Sequence, residues 1–193
     1  MKAQTSIDVV LGIVEILNDL GIPYHLGGSF ASSVHGIPRQ TRDADFVIAV
    51  NAPQVRRLVS KIDGDFYVDE TVALDAVKNR ASFNAIHLDA GFKIDFFVKG
   101  DSAFDESEME RRVPESLLDD PKSLVFFKSC EDTILRKLQW FHEGGGVSDR
   151  QWTDVLGIIK TQGDLLNTIY LHSWAARLGL SSLLKKALEE AAP

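Results

Sequence analysis

Two stretches indicate the fold of this chain: Gly27-Gly28-Ser29 and, after thirteen intervening residues, Asp43-Ala44-Asp45-Phe46-Val47-Ile48. Two carboxylates at positions i and i+2 of a strand project from one face, where they can hold a divalent cation. A Gly-Gly-Ser turn lets the backbone approach a phosphate group closely. Together these features predict chemistry on a nucleoside triphosphate.

A third carboxylate strengthens that interpretation. An isolated Asp-x-Asp is more often a polar start to a strand, but Lys93-Ile94-Asp95-Phe96-Phe97-Val98 places Asp95 inside an otherwise apolar strand. An unpaired charge is costly to bury there, so a partner is expected. If this strand lies beside the one bearing Asp43 and Asp45, the three carboxylates converge and can bind two Mg²⁺ ions, as in-line nucleotidyl transfer requires.

Hydrophobic periodicity predicts a mixed α/β fold, that is, an α+β sheet with flanking helices followed by a C-terminal helical lobe. The predicted elements are a helix over 7–20, strands over 24–26, 43–50, 82–88 and 92–98, intervening helices, and four helices after residue 129. Residues 101–122 are acidic and turn-rich, with Pro114 and Pro121 interrupting any long helix. We therefore expect an α/β domain over 1–100, a connecting segment over 101–128 and a helical domain over 129–193.

Composition limits the possible partners. The 193 residues carry a net charge of −7, which argues against a continuous basic surface for nucleic acid. The single cysteine, Cys130, cannot form an internal disulfide, which fits a reducing compartment. No leader-like segment and no apolar run of about 18 residues is evident, so we expect a cytoplasmic protein without a membrane anchor.

The order Gly27-Gly28-Ser29, Asp43-x-Asp45 and a later lone Asp95 resembles the signature of the DNA polymerase β-like nucleotidyltransferase superfamily over about residues 5–100. Two further stretches, HGIPRQTRDADFVI and EDTILRKLQWFHEGGGVSDRQWTDVLGII, resemble AbiEii-type toxins of abortive-infection and toxin–antitoxin systems and their uncharacterised relatives. The resemblance implies a nucleotidyltransferase fold and release of pyrophosphate.

The same resemblance implies roles for individual residues. Asp43, Asp45 and Asp95 would be the catalytic carboxylates and would bind the Mg²⁺ ions, and Asp95 is the candidate to take the proton from the attacking hydroxyl. Nucleotide contacts would come from Gly27, Gly28, Ser29, Arg42 and Lys137. Arg42 is the neighbour of Asp43 along the strand, so its side chain is expected to point to the opposite face. The segment Arg150-x3-Asp154 would complete the nucleotide site.

Three functions remain open from the sequence. The first is an enzyme that transfers a nucleoside monophosphate to a tRNA 3′ end, a protein side chain or a small molecule, acting as a toxin with a partner antitoxin. The second is a nucleotide-sensing or partner-binding module without turnover. The third is an antibiotic nucleotidyltransferase, for which the acidic group Asp105, Glu106, Glu108 and Glu110 could bind a cationic drug.

Overall fold

A computed structural model describes residues 5–117 and 123–192. Its elements, in chain order, are α1 (Ser6–Asp19), β1 (Tyr24–Leu26), α2 (Gly28–His35), β2 (Asp43–Ile48), α3 (Ala52–Ile62), β3 (Phe66–Tyr67), α4 (Glu70–Asn79), β4 (Ser82–His87), β5 (Lys93–Val98), α5 (Ala103–Glu110), β6 (Val113–Ser116), β7 (Leu124–Phe127), α6 (Cys130–Glu143), α7 (Asp149–Gln162), a 3-10 helix (Gly163–Leu165), α8 (Thr168–Arg177) and α9 (Ser181–Ala191).

The chain divides into two compact units. Unit 1 comprises residues 1–27 and 41–127, and unit 2 comprises residues 28–40 and 128–193. Unit 1 therefore contains every strand of the described residues, whereas unit 2 contains α2 and the helices from α6 onward. The domain boundaries expected from sequence, at residues 100 and 129, remain a prediction.

Unit 1 is built around one mixed sheet. Its seven described strands lie in the order β3-β4-β5-β2-β1-β7-β6. The pairs β2–β5 and β1–β7 are parallel, and the remaining neighbours are antiparallel. One face of the central strands is fully apolar and buried, through Ala44, Phe46 and Ile48 of β2 and their neighbours on β5. The opposite face, formed by the alternate residues, is only half-buried and carries the polar side chains.

The helices of unit 1 begin where the sequence offers capping groups. Thr5, Asn51 and Ser102 cap α1, α3 and α5, and each forms a reciprocal capping box with the residue three positions later. The buried stripe of α1 includes Val10, Ile13 and Leu17, which have no exposed surface. These helices cover the apolar side chains that a lone sheet would leave in water.

Three short elements were not predicted within the segment 101–128. This segment contains α5 and the hairpin of β6 and β7 in place of an irregular connection. Pro114 is compatible with a strand because β6 forms the edge of the sheet, where one side of the strand makes no ladder hydrogen bonds. The predicted break at Pro121 lies outside the described residues.

Unit 2 is a helical assembly to which α2 belongs. Gly36, just after α2, packs so closely on α7 that an added Cβ would lie 3.0 Å from the Ile158 backbone nitrogen. Leu135, Ile158 and Leu171 contribute fully buried side chains from α6, α7 and α8. The four helices predicted after residue 129 are present as α6 to α9.

The observed architecture is the predicted mixed α/β arrangement of a sheet, flanking helices and a set of C-terminal helices. In the described part of the chain, no helix combines the length and the apolar character needed to cross a membrane.

Candidate active site

The three predicted metal ligands lie on one face of the sheet in unit 1. β2 and β5 are parallel neighbours whose register pairs Asp43 with Lys93 and Asp45 with Asp95. Because alternate residues of a strand share a face, these four side chains form a two-by-two group, which we call the carboxylate patch. The condition set from sequence, that the strand of Asp95 lies beside that of Asp43 and Asp45, is therefore met.

Polar neighbours hold two of these carboxylates. Lys93 Nζ lies 2.6 Å from Asp95 Oδ2. Thr41 Oγ1 donates a hydrogen bond of 2.9 Å to Asp43 Oδ1. The hydrogen bond to Asp95 raises the pKa of Lys93; burial opposes this, and the charges of Asp95, Asp43 and Asp45 add to the increase. All three carboxylates of the patch thus raise the pKa of Lys93.

The carboxylate patch has the donor atoms that Mg²⁺ prefers, but its three carboxylate groups are not close enough together to form a metal site. Carboxylate oxygens are the ligands that Mg²⁺ prefers in proteins. Among residues 5–117 and 123–192, however, no three acidic, histidine or cysteine side chains are grouped so that they could hold a metal ion. One oxygen of Asp95 is already engaged by Lys93. Mg²⁺ binding remains a prediction, and it requires the carboxylates to converge.

Gly27 and Gly28 stand at the point where the chain leaves unit 1 and enters unit 2. The Gly27 nitrogen donates a 2.8 Å hydrogen bond to the Asp45 carbonyl, which ties the end of β1 to the strand of the carboxylate patch. Gly28 has a φ of +50° at the start of α2, a left-handed conformation that a side chain would disfavour. A turn of this kind therefore requires glycine at position 28.

Unit 2 contains a second polar group, centred on Ser29 in the first turn of α2. Two guanidinium groups donate to the Ser29 hydroxyl: Arg39 Nη2 at 2.5 Å and Arg150 Nη2 at 2.8 Å. Two like charges are thus held close together on a single neutral oxygen. Such an arrangement is electrostatically unfavourable alone and favours an anion as a further partner.

Asp154 of α7 is hydrogen-bonded to two cations of this group. It accepts hydrogen bonds from Arg39 Nε at 3.2 Å and from Lys137 Nζ at 2.8 Å. Lys137 Nζ also donates to Gln151 Oε1 at 3.0 Å. We call these six residues the serine cluster: Ser29, Arg39, Lys137, Arg150, Gln151 and Asp154.

The serine cluster is partly buried, since Arg150 is exposed and Arg39 is half-buried, and it carries excess positive charge. The Lys137 and Asp154 side chains are only 4% and 8% exposed. Burial lowers the pKa of Lys137, the Asp154 contact opposes this, and the charges of Arg39 and Arg150 add to the decrease. Burial tends to raise the pKa of Asp154, but hydrogen bonds from Arg39 and Lys137 outweigh it and hold that pKa below its usual range. With three cations and one carboxylate, the cluster has a net charge of +2.

The predicted site residues thus fall into two groups, each within one unit. Asp43, Asp45 and Asp95 are brought together on the sheet, and Ser29 and Lys137 belong to the serine cluster. Arg42 is exposed, and its predicted substrate contact remains a prediction.

Arg39 was missed by the sequence analysis. The chain folds back after α2, so that the Arg39 nitrogen donates to Ser33 Oγ at 3.3 Å. Ser33 lies one helical turn beyond Ser29, which brings the Arg39 side chain to the Ser29 hydroxyl. Hydrophobic periodicity does not predict such a chain reversal, and the one local signal for it is Pro38, which follows α2.

The acidic group on α5 is largely committed to local contacts. Asp105 Oδ2 accepts from the Ser102 nitrogen at 3.0 Å in the helix cap, and Glu106 pairs with Lys99. Glu108 is only 2% exposed. Glu110 is exposed, and binding of a cationic drug by this group remains a prediction.

Solved structures share this fold. The solution structure of the antibiotic-resistance factor ANT(2'')-Ia matches 95% of this chain and 98% of its own, with a TM-score of 0.61 and 13% identity. A crystal structure of ANT(2'')-Ia in complex with adenylyl-2''-tobramycin matches 90% of this chain and 99% of its own, with a TM-score of 0.60 and 16% identity. A nucleotidyltransferase-like antigenic protein from Paracoccidioides brasiliensis matches 93% of this chain and 91% of its own, with a TM-score of 0.54 and 20% identity.

No protein-family model matches the sequence, and no curated protein does. At identities of 13–20%, the structural similarity establishes the fold and leaves the activity to be argued from the residues. The nucleotidyltransferase fold predicted from the sequence is confirmed.

Proposed function

We propose that this protein transfers a nucleoside monophosphate from a nucleoside triphosphate to a hydroxyl acceptor and releases pyrophosphate. The observation that carries the proposal is the carboxylate patch, in which Asp43, Asp45 and Asp95 share one half-buried face of adjacent strands within this fold. Three carboxylates placed side by side repel one another, so this arrangement favours a bound cation.

In the proposed reaction Asp43, Asp45 and Asp95 would hold Mg²⁺, and Asp95 would also receive the proton of the acceptor hydroxyl. When bound, Mg²⁺ supplies positive charge that favours ionisation of the acceptor and departure of pyrophosphate. The acceptor oxygen forms a bond to the α-phosphorus, the bond from that phosphorus to its bridging oxygen breaks, and pyrophosphate leaves with the electron pair. Thr41 orients Asp43 through its 2.9 Å hydrogen bond.

The serine cluster is assigned to the triphosphate. Arg39 and Arg150 present guanidinium groups, which match phosphate oxygens in geometry and charge. Both donate to the neutral Ser29 hydroxyl at 2.5 and 2.8 Å, so a phosphate oxygen would be a stronger acceptor for the same donors. Asp154 holds Arg39 and Lys137 in place without cancelling the positive charge of the cluster.

The acceptor is the open part of the proposal. The resemblance to AbiEii-type toxins favours a tRNA 3′ end or a protein side chain, with an antitoxin as partner and growth arrest as outcome. A second candidate is a small hydroxylated drug, since ANT(2'')-Ia, which shares the fold, was solved with an adenylylated tobramycin. Against that candidate, Asp105 and Glu106 of α5 already contact Ser102 and Lys99 of the same chain.

The test is label transfer by purified protein. The protein is incubated with Mg²⁺ and each of the four α-labelled ribonucleoside triphosphates, in the presence of bulk tRNA, a cell lysate or an aminoglycoside panel. We expect Asp43→Asn/Asp45→Asn to lower transfer by at least about a thousandfold, because losing several kcal/mol of charge stabilisation costs tenfold per about 1.4 kcal/mol.

The matched control is Asp19→Asn/Asp89→Asn, which makes the same charge change at two exposed positions outside the patch. It should transfer label at the unmodified rate. If triphosphate binds but no label moves to any acceptor class, the proposed reaction is wrong for these acceptors, which leaves another small-molecule acceptor or a nucleotide-sensing module.

A further inference from the structure

We propose that Lys93 is a positioning residue of the carboxylate patch: its ammonium occupies the patch while no divalent cation is bound, and must leave Asp95 when one binds. This inference rests on the proposed function, because it assumes that the patch is where the metal acts. It assigns to Lys93 a competition with the metal ion.

The position of Lys93 follows from the register of two strands. Lys93 pairs with Asp43 across the parallel β2–β5 ladder and stands two residues before Asp95 on its own strand. The residues that flank it along β5, Phe92 and Ile94, are buried on the other face. The ammonium stem is therefore placed on the face that carries the three carboxylates, at one corner of the two-by-two group.

The electrostatics of the patch favour a cation in this position. Three ionised carboxylates on adjacent strands repel one another, and the Lys93 ammonium reduces their summed charge from −3 to −2. Its Nζ lies 2.6 Å from Asp95 Oδ2, one of the oxygens that a metal ion would need. A divalent cation and the ammonium also repel each other, so a metal ion bound at that oxygen weakens its contact with Lys93.

The Lys93 side chain is free to make this exchange. It is 41% exposed, whereas the Asp95 side chain is 19% exposed. Lysine carries its charge on a flexible four-carbon stem, so the ammonium can turn into water without any change in the backbone. The buried Lys137, 4% exposed and held by Asp154, has no such freedom.

An ordinary surface ion pair is the competing explanation. Such pairs contribute little to stability and have no link to metal binding. The two explanations differ in what happens to divalent-cation affinity when the ammonium is removed: a competitor weakens binding while present, and a bystander leaves it nearly unchanged.

The experiment measures free Mn²⁺ by electron paramagnetic resonance, at fixed pH and ionic strength, in titrations of the full chain. Lys93→Met should lower the Kd for Mn²⁺ about three- to tenfold, the range expected for a partly exposed charge near the ion. Lys93→Arg keeps the charge and should bind close to the unmodified protein. Lys61→Met, which removes an exposed lysine paired with Asp19 at 3.5 Å, is the matched control for net charge.

A second readout uses thermal unfolding. In EDTA, Lys93→Met should melt below Lys61→Met, because the carboxylates lose their internal cation; Mn²⁺ should remove that difference. An unchanged or weaker Mn²⁺ affinity in Lys93→Met, or no binding by either protein, overturns the inference. Because these measurements need no turnover, a positive result with no label transfer would leave Lys93 as proposed and reject the enzymatic function alone.

Discussion

At the scale of single residues, the buried pair of Lys137 and Asp154 is the most sensitive point of unit 2. Asp154→Asn leaves Lys137 and Arg39 without their shared carboxylate, and we expect a loss of about 3–5 kcal/mol in the free energy of unfolding. Lys137→Met should cost less, because Asp154 keeps its contact with Arg39 and a poorly solvated ammonium is removed. Urea unfolding at pH 7 measures both, and a larger loss for Lys137→Met would contradict this ranking.

The same pair makes a pH-dependent contribution. Because the pKa of Asp154 is lowered in the folded state, its stabilisation is present above the unfolded-state pKa of about 3.9 and is lost as the pH falls through the folded value. The difference between the unmodified protein and Asp154→Asn should therefore be constant from pH 7 to 5 and shrink below about pH 4. A difference that grows on acidification would reverse the sign of the argument.

Arg39 offers a direct test of the serine cluster as an anion site. Inorganic tripolyphosphate is the suitable probe, since it carries the phosphates without a base. Arg39→Gln should weaken its binding at least about tenfold in calorimetric titration, the effect of losing one charge-assisted hydrogen bond. Arg39→Lys should not restore it, because an ammonium cannot bridge Ser29 and Asp154 as the guanidinium does.

The control for this measurement is Arg57→Gln, which removes an exposed arginine of α3. Equal weakening in both variants would mean that net charge alone governs binding. No weakening in either would remove the serine cluster from the triphosphate assignment.

These residues show what the sequence could predict. Asp43 and Asp45 share a face because a strand has a period of two, which can be read without a structure. That Asp95 joins them was predicted only on the condition that its strand lies beside theirs. The contacts of Arg39 and Lys93 could not be read in this way. The first depends on the chain reversal after α2, and the second on the register between β2 and β5.

At the scale of elements, the predictions succeeded where a segment is long and periodic. Helices α6 and α7, each of 14 residues, carry their own apolar stripe and capping residues. The two-residue β3 and the four-residue β6 and β7 do not. Such short strands exist because a neighbour supplies their hydrogen bonds, so their sequences alone contain too little signal.

The contact of α2 with α7 gives a prediction at this scale. At Gly36 an added Cβ would meet three backbone atoms, of Ile158 at 3.0 Å, Ser32 at 3.0 Å and Gly157 at 3.1 Å. Backbone atoms cannot move aside as side chains do, so Gly36→Ala should lower the free energy of unfolding by about 1–3 kcal/mol.

Gly157→Ala is the matched control. The atoms nearest to its Cβ would be two carbons of the Ile37 side chain, at 3.5 and 3.6 Å, and the Ile37 backbone nitrogen, at 3.7 Å, all of which are ordinary contacts. Alanine is also the better residue inside a helix, by up to about 1 kcal/mol. Urea unfolding should therefore find Gly157→Ala neutral or stabilising, and a cost equal to that of Gly36→Ala would show that the two helices pack less tightly than the distances indicate.

At the scale of the whole molecule, the fold class followed from the order of helices and strands, which local patterns determine. Local patterns did not predict that the short helix α2 groups with the helices after residue 128. This grouping depends on contacts such as that between Gly36 and Ile158, residues more than a hundred positions apart. Local propensity is silent on pairings of that range.

Charge distribution over the whole chain bears on the acceptor. A tRNA acceptor requires several cations on one accessible surface, and Lys128, Arg136, Lys137 and Arg150 were the candidates. Lys128 and Lys137 are only 4% and 3% exposed, so neither can reach the phosphates of a polynucleotide. The net charge of −7 further weakens attraction to RNA.

We therefore expect bulk tRNA to bind weakly. Fluorescence anisotropy with labelled tRNA should give no saturation up to about 100 μM protein at physiological salt, the weak end of non-specific binding. Affinity should change little between 50 and 150 mM KCl, because few phosphate contacts release few counterions. A steep salt dependence with micromolar affinity would contradict this and favour tRNA as the acceptor. Competition by tripolyphosphate would then distinguish binding through the serine cluster, which it blocks, from binding through another surface, which it leaves intact.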